Sequence, residues 1–150
     1  MVTKKEIDNF FDGKKFAIAG VSRNKKKFGN LIYREMKQKG YDVVGINPDA
    51  DKIGEDVCYK DVKSIPEGYE KLLIITPPKS TEDVVKQAVE NGIKNIWIQH
   101  KSETKEAISI AEKANISTIS GKCIFMYAEP VNSFHAFHKM LAKLFGVYAK

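Results

Sequence analysis

Apolar residues along the chain fall into short continuous runs separated by segments of helical spacing. Buried parallel strands give the first pattern, and amphipathic helices give the second. Phe16-Ala17-Ile18-Ala19-Gly20-Val21 predicts a buried strand ending at a glycine. Phe28, Leu31, Ile32 and Met36 then mark a helix that stops at Gly40, a common residue just past a helix end. Val43-Val44-Gly45-Ile46 predicts a second strand, closed by Asn47-Pro48. The stretch 49–68 is irregular, with a short strand around Val57-Cys58 and a helical turn before Pro66. Leu72-Leu73-Ile74-Ile75 predicts another strand, closed by Thr76-Pro77-Pro78.

Ser80 or Thr81 is expected to cap the next helix, whose stripe is Val84, Val85, Ala88 and Val89. Ile96-Trp97-Ile98 predicts a strand that runs into Gln99-His100. Ala107, Ile110, Ala111 and Ala114 mark a further helix, and residues 116–119 the last strand. A short helix at 4–11 is expected to pack outside the sheet, and a final helix at about 132–145 carries Phe134, Phe137, Leu141 and Leu144 on one side. Strands alternating with helices in this way predict an α/β fold, a doubly wound, mostly parallel Rossmann-like sheet with helices on both faces. The 150 residues are expected to form one domain.

Composition narrows the picture. The apolar share is 43%, ordinary for a globular chain. No run approaches the roughly 18 apolar residues of a membrane span. The N-terminus lacks the apolar stretch of a signal peptide, so the expected location is cytoplasmic. Two cysteines, Cys58 and Cys123, make no disulfide framework. The net charge of +6 favours an anionic partner without choosing among nucleic acid, membrane surface and phosphorylated cofactor. Most lysines are spread over helices. The cluster Arg23, Lys25, Lys26, Lys27 instead follows the first strand.

Ligands of open α/β sheets bind beyond the carboxyl ends of the strands, where strand order reverses. The candidate site residues are therefore Gly20, Val21, Ser22, Arg23, Lys25 and Lys27 after the first strand and Asn47 and Pro48 after the second. Thr76, Pro77 and Pro78, then Gln99 and His100, and finally Ser120-Gly121-Lys122-Cys123 follow the others. The first loop, set between a strand and a helix, offers backbone N–H groups, a helix dipole, a hydroxyl and cations to a phosphate. The dinucleotide fingerprint G-x-G-x-x-G is not met, because Ser22 stands at its second glycine. Asn47-Pro48 occupies the end of the second strand, where a ribose-binding carboxylate is expected, although Asp49 or Asp51 can reach a ribose. Both departures favour a ligand whose ribose carries a phosphate, paired with the nearby lysines. The P-loop pattern G-x-x-x-x-G-K-[ST] is absent.

The ordered set Ile18-Ala19-Gly20-Val21-Ser22, Gly45-Ile46-Asn47-Pro48, Gly54…Tyr59…Ser64-Ile65-Pro66, Ile75-Thr76-Pro77-Pro78, Ile96-Trp97-Ile98-Gln99 and Gly121-Lys122-Cys123 resembles the stand-alone coenzyme A-binding proteins. These are relatives of the N-terminal domain of the succinyl-CoA synthetase α subunit, and the resemblance covers residues 15–130. It implies coenzyme A lying across the strand ends. Gly20 to Arg23 would face its phosphates, Pro48 and Thr76 to Pro78 would flank the nucleotide, and the pantetheine arm would run toward Gln99 and Cys123.

The ligase relative also needs a phosphorylated histidine in a second domain, for which this chain has no room. His100 follows a strand and is expected to line the pocket. His135 and His138 share a helix face but make a poor metal site without a third ligand. No G-x-S-x-G elbow is present. The expected role is binding of coenzyme A or an acyl-CoA without catalysis. The alternatives are an NAD(P)-binding redox sensor or oxidoreductase domain, and a basic nucleic-acid-binding protein, for which no binding motif is seen. The apolar face of the final helix is a candidate homodimer surface.

Overall fold

The computed structural model describes residues 2–128. Helix α1 (Lys4–Phe11) opens on a capping box: Thr3 Oγ1 accepts from the Glu6 N–H at 3.2 Å, and Glu6 Oε2 accepts from the Thr3 N–H at 2.7 Å. Strand β1 (Lys15–Ala19) leads to α2 (Phe28–Gln38), β2 (Asp42–Ile46), a two-residue β3 (Lys52–Ile53), β4 (Asp56–Tyr59) and β5 (Lys71–Ile74). Then come α3 (Pro78–Glu90), β6 (Asn95–Gln99), α4 (Lys105–Lys113) and β7 (Ser117–Lys122).

The seven strands form one sheet in the order β3-β4-β2-β1-β5-β6-β7. All pairings are parallel except β3 with β4. The chain winds outward from β1 through β2 to β4, then crosses to β5 on the other side of β1 and winds out to β7. Strand order therefore reverses between β1 and β5, and the sheet is doubly wound.

Alternation along β1 sorts its side chains onto two faces. Phe16 and Ile18 join Phe10 of α1, Ile32 and Met36 of α2, and Trp97 in one core cluster. Ala17 and Ala19 join Val85 and Ala88 of α3 and Ala107 and Ala111 of α4 in the other. Helices thus cover both faces, as the sequence pattern predicts. Phe10 packs at a tilt against Phe16 and edge-on against Trp97, at centroid distances of 5.2 and 5.4 Å, so α1 seals the core rather than only resting outside it. Lys71 Nζ donates to the carbonyls of Asn9 and Asp12, fixing the end of α1 to β5.

Three expectations change. Helix α3 begins at Pro78 with Pro77 at the cap position, so Ser80 and Thr81 lie inside the first turn and do not cap it. Proline suits the first helical position because its missing N–H has no partner there anyway. The buried Thr81 hydroxyl instead pairs with the Thr76 hydroxyl at 2.9 Å. Strand β7 runs on to Lys122, so Ser120, Gly121 and Lys122 belong to the sheet and not to a loop after it. Ile98 pairs Ser120 and Gln99 pairs Lys122, which leaves Gly121 (φ 72°) as the extra residue of a bulge. The stretch 49–68 contains β3 in addition to the strand expected at Val57-Cys58. The helix expected at about 132–145, its apolar face and His135 and His138 lie outside the described residues.

Candidate ligand site

A crevice of about 530 Å³ opens beyond the carboxyl ends of β1, β2 and β5, where strand order reverses. Its floor is Ala19, Gly20, Val21 and Ile46, one wall is Asn47-Pro48-Asp49 with Lys60, and the other is Thr76-Pro77 with the first turns of α3.

The first loop is shaped by close backbone approach. Gly20 has φ 102°, and a Cβ there would stand 2.9 Å from the backbone of Ile75 and Thr76. Only glycine fits that conformation and that gap. Gly29, in the first turn of α2, lies against Gly20 so tightly that a Cβ would be 2.3 Å from the Gly20 carbonyl oxygen. These two glycines let β1, the loop and α2 share one compact corner. Asn30, 4% exposed, donates from Nδ2 to the Ser22 carbonyl at 2.7 Å and accepts from Arg34 Nε at 2.7 Å. Ser22 Oγ accepts from the Asn24 N–H at 3.1 Å, and Asn24 Oδ1 accepts from the Lys26 N–H at 3.0 Å. Lys27 holds the cap position before α2, and no side chain caps the first turn of that helix.

Asn47 ties its own wall to the floor. Its Nδ2 donates to the Val21 carbonyl and its Oδ1 accepts from the Asp49 N–H, both at 2.8 Å. It therefore shapes the crevice, with both ends of its amide engaged inside the protein. Across the crevice Gln87 Oε1 accepts from the Val62 N–H at 3.1 Å, and its Nε2 donates to Asp83 at 2.8 Å. Both charge signs line the walls: Lys60 and Lys79 against Asp49 and Asp83. Lys60 pairs with Asp51 at 2.8 Å and holds that carboxyl below its usual range.

Of the residues named from sequence, Gly20, Val21, Ser22, Asn47, Pro48, Thr76 and Pro77 are brought together here. Arg23, Lys25 and Lys27 are exposed on the loop beside the crevice, and Pro78 opens α3 without lining it. Gln99, the last residue of β6, does not line it, and neither do His100 and Cys123, which follow β6 and β7. Gln99 is 2% exposed, and its Oε1 accepts from the Ile124 N–H at 3.0 Å. Burial pushes the Cys123 thiol up, with the neighbouring Gln99 amide and the Phe125 and Met126 backbones pulling the other way. His100 Nδ1 faces Glu103 Oε1 at 3.9 Å.

Sequence reasoning missed Gly29, Asn24 and Asn30 in the loop corner, and Lys60, Lys79, Ser80, Asp83 and Gln87 in the walls. A glycine at the first turn of a helix that follows a strand-end glycine was a usable signal for the corner, since close helix–strand packing needs one. No comparable signal marks Lys60 or the α3 residues, which reach the crevice only through packing. Among the described residues no three His, Cys, Asp or Glu side chains gather as a metal site, and no helix is long and apolar enough to cross a membrane.

A crevice at the reversal point of a two-faced parallel sheet places the chain among the Rossmann-like α/β domains. Residues 14–129 match the family described as CoA binding domain, and the chain belongs to that family. It is 27% identical over 129 residues, 79% of this chain, to the α subunit of ADP-forming acetate–CoA ligase II from Pyrococcus furiosus. It is 31% identical over 109 residues, 71% of this chain, to the ADP-forming acetate–CoA ligase II of Archaeoglobus fulgidus. The chain spans only 28% and 16% of the lengths of these two relatives. A hypothetical protein from Pyrococcus horikoshii superposes with a TM-score of 0.80 at 27% identity, over 87% of this chain and 93% of its own. A conserved hypothetical protein from Pyrococcus furiosus gives 0.71 at 36% identity, over 73% and 95%.

Proposed function

We propose that the chain binds coenzyme A or an acyl-CoA in the crevice at the ends of β1, β2 and β5, as one domain and without a covalent step of its own. The observation that carries this reading is that Gly20-Val21-Ser22, Asn47-Pro48 and Thr76-Pro77 line one crevice at the strand-order reversal, in a chain of the CoA binding domain family. The phosphates lie against the first loop, whose backbone N–H groups and hydroxyl suit an anion. Arg23, Lys25 and Lys27 stand at the open side of that loop, where a ribose phosphate is neutralised by charge-assisted contacts. Pro48, Thr76 and Pro77 flank the nucleotide. The relatives named as acetate–CoA ligases support coenzyme A as the ligand. Cys123 is held as a thiol by its burial, which supports binding over nucleophilic chemistry.

Asp49 favours one second reading. It lines the crevice and is placed to accept from a ribose diol, as an NAD-type ligand requires.

Calorimetry against coenzyme A, dephospho-CoA, NAD and NADP separates the two. The expected order is coenzyme A first, with dephospho-CoA about tenfold weaker, the equivalent of about 1.4 kcal/mol for the lost phosphate contacts. Equal affinity for coenzyme A and dephospho-CoA overturns the role given to the basic loop. Tightest binding of NAD overturns the ligand.

A further inference from the structure

A second groove, of about 740 Å³, shares no residue with the ligand crevice. Its apolar walls are Ile7 and Phe11 of α1, Tyr41 before β2, and Met126 and Tyr127 at the end of the described chain. Phe11 packs on Tyr41 and Tyr127 on Trp97, at centroid distances of 5.7 and 5.8 Å, so the walls are fixed to the core. Three large hydrophobic side chains are exposed among the described residues, and Met126, at 48%, is the one on this groove. The rim carries two carboxylates, Asp8 and Asp12, against one cation, Lys4, which pairs with Asp8. The chain leaves the described residues beside this groove. Ala128 is buried, its N–H bonded to the Ile124 carbonyl at 3.0 Å and its own carbonyl reached by Lys39 Nζ at 3.4 Å. Glu35, four residues before Lys39 and so on the same face of α2, keeps a buried oxygen with no hydrogen-bond partner among the described residues.

We infer that the groove is the docking site of residues 129–150 of the same chain, with the stripe Phe134, Phe137, Leu141 and Leu144 laid against Ile7, Phe11 and Met126. Residues 129–131 span at most about 10 Å, so the helix that the sequence pattern predicts at about 132–145 begins close to Ala128, beside Met126 and Tyr127. That helix is about 21 Å long, against about 12 Å for α1, and its stripe follows the whole of α1. Charge favours the same pairing. The segment brings Lys139, Lys143 and Lys150 against Glu129 alone, and it meets a rim with an excess of carboxylate. Asn132 and Ser133, its first polar residues, supply the donors that Glu35 lacks. The short tether holds the segment at an effective concentration of about millimolar or more, above that of a second copy. Docking in this way consumes the apolar stripe within one chain, so the protein is a monomer.

The test is oxidation of Met126 by hydrogen peroxide in the whole chain, read by mass spectrometry. Met126 sulfoxide is expected to form about tenfold more slowly, or slower still, than in a short peptide around Met126, because the docked segment must open first. A slowing of only about twofold, which an exposure of 48% gives by itself, overturns the inference without any variant. In the double variant Phe137→Ser/Leu141→Ser, and separately in Ile7→Ser on the groove side, the Met126 rate is expected to rise to that twofold level. The fully buried Met36 stays unreactive there and reports an intact fold. Protection of Met126 that survives in these variants overturns the inference. Light scattering across a dilution series is expected to give a monomer whose Met126 protection is independent of concentration. A dimer that loses the protection as it dissociates assigns the groove to a second copy and overturns docking within one chain.

Discussion

Replacing Gly29 by alanine puts one methyl group where β1, the first loop and α2 meet. The new Cβ would stand 2.3 Å from the Gly20 carbonyl oxygen and 3.2 Å from both Gly20 C and Val21 Cα. An ordinary carbon–oxygen contact is about 3.3 Å, so roughly 1 Å must open between α2 and the loop. Overpacking of this kind costs about 1–3 kcal/mol. The upper end applies, because the offended atoms are backbone and have no rotamer to escape into. Alanine returns up to about 1 kcal/mol through its better helix propensity. The net expectation is a loss of about 2 kcal/mol, or roughly 4–8 °C in Tm for a chain of this size.

The same 1 Å shift moves the α2 amides and Ser22 away from a phosphate, so coenzyme A affinity is expected to fall about tenfold or more. Urea denaturation with calorimetry on one preparation reads both quantities, and Ser109→Ala in α4 controls for helix propensity alone. A Gly29→Ala protein as stable as its parent and binding coenzyme A equally well would refute the close-packed corner.

Asn47→Ala removes two 2.8 Å bonds that shape one crevice wall and tie it to the floor, and is expected to cost about 1–2 kcal/mol in urea denaturation along with a clear loss of coenzyme A affinity. Burial, and then the bond to Asp42, pushes the Tyr69 hydroxyl up to about 12; Tyr33, buried and bonded to Asp56, is raised further. The unfolded chain releases these protons near pH 10 and the folded chain later, so stability is expected to fall as pH rises from 10 toward 12. Urea midpoints in that range check the sign, and Tyr69→Phe should show a shallower fall. Burial also raises the Cys123 thiol. Its iodoacetamide labelling, followed by mass spectrometry, is expected to level off at a higher pH than that of a free cysteine in a short peptide, and a plateau at a lower pH contradicts a buried thiol.

Most of the sheet was legible because each central strand is buried on both faces and reads as an unbroken apolar run. Strand β3 was not, since Lys52-Ile53 offers one apolar residue and pairs only with β4. The end of β7 was hidden because Ser120-Gly121-Lys122 is polar and lies at the sheet edge, where half of the strand faces water. The start of α3 was misread by favouring a hydroxyl cap over the Pro78 signal. At the site, residues that directly follow a strand could be named because sheet geometry fixes where they go. Such reasoning brings Gly20 to Ser22, Asn47-Pro48 and Thr76-Pro77 to the lining of the crevice. It failed for Lys60, Lys79, Asp83 and Gln87, whose positions depend on how α3 and the segment after β4 lie on the sheet. Gln99 and Cys123 do follow or adjoin strand ends, but the bulge at Gly121 and the turn at 124–126 bury them away from the crevice.

Backbone amide NMR during titration with coenzyme A tests the central claim most directly. Saturating shifts are predicted at Gly20 to Asn24, Asp49 to Ala50 and Thr76, with residues around Ile7, Tyr41 and Met126 unchanged. Shifts confined to that second group, or none at millimolar coenzyme A, would contradict binding at the ends of β1, β2 and β5.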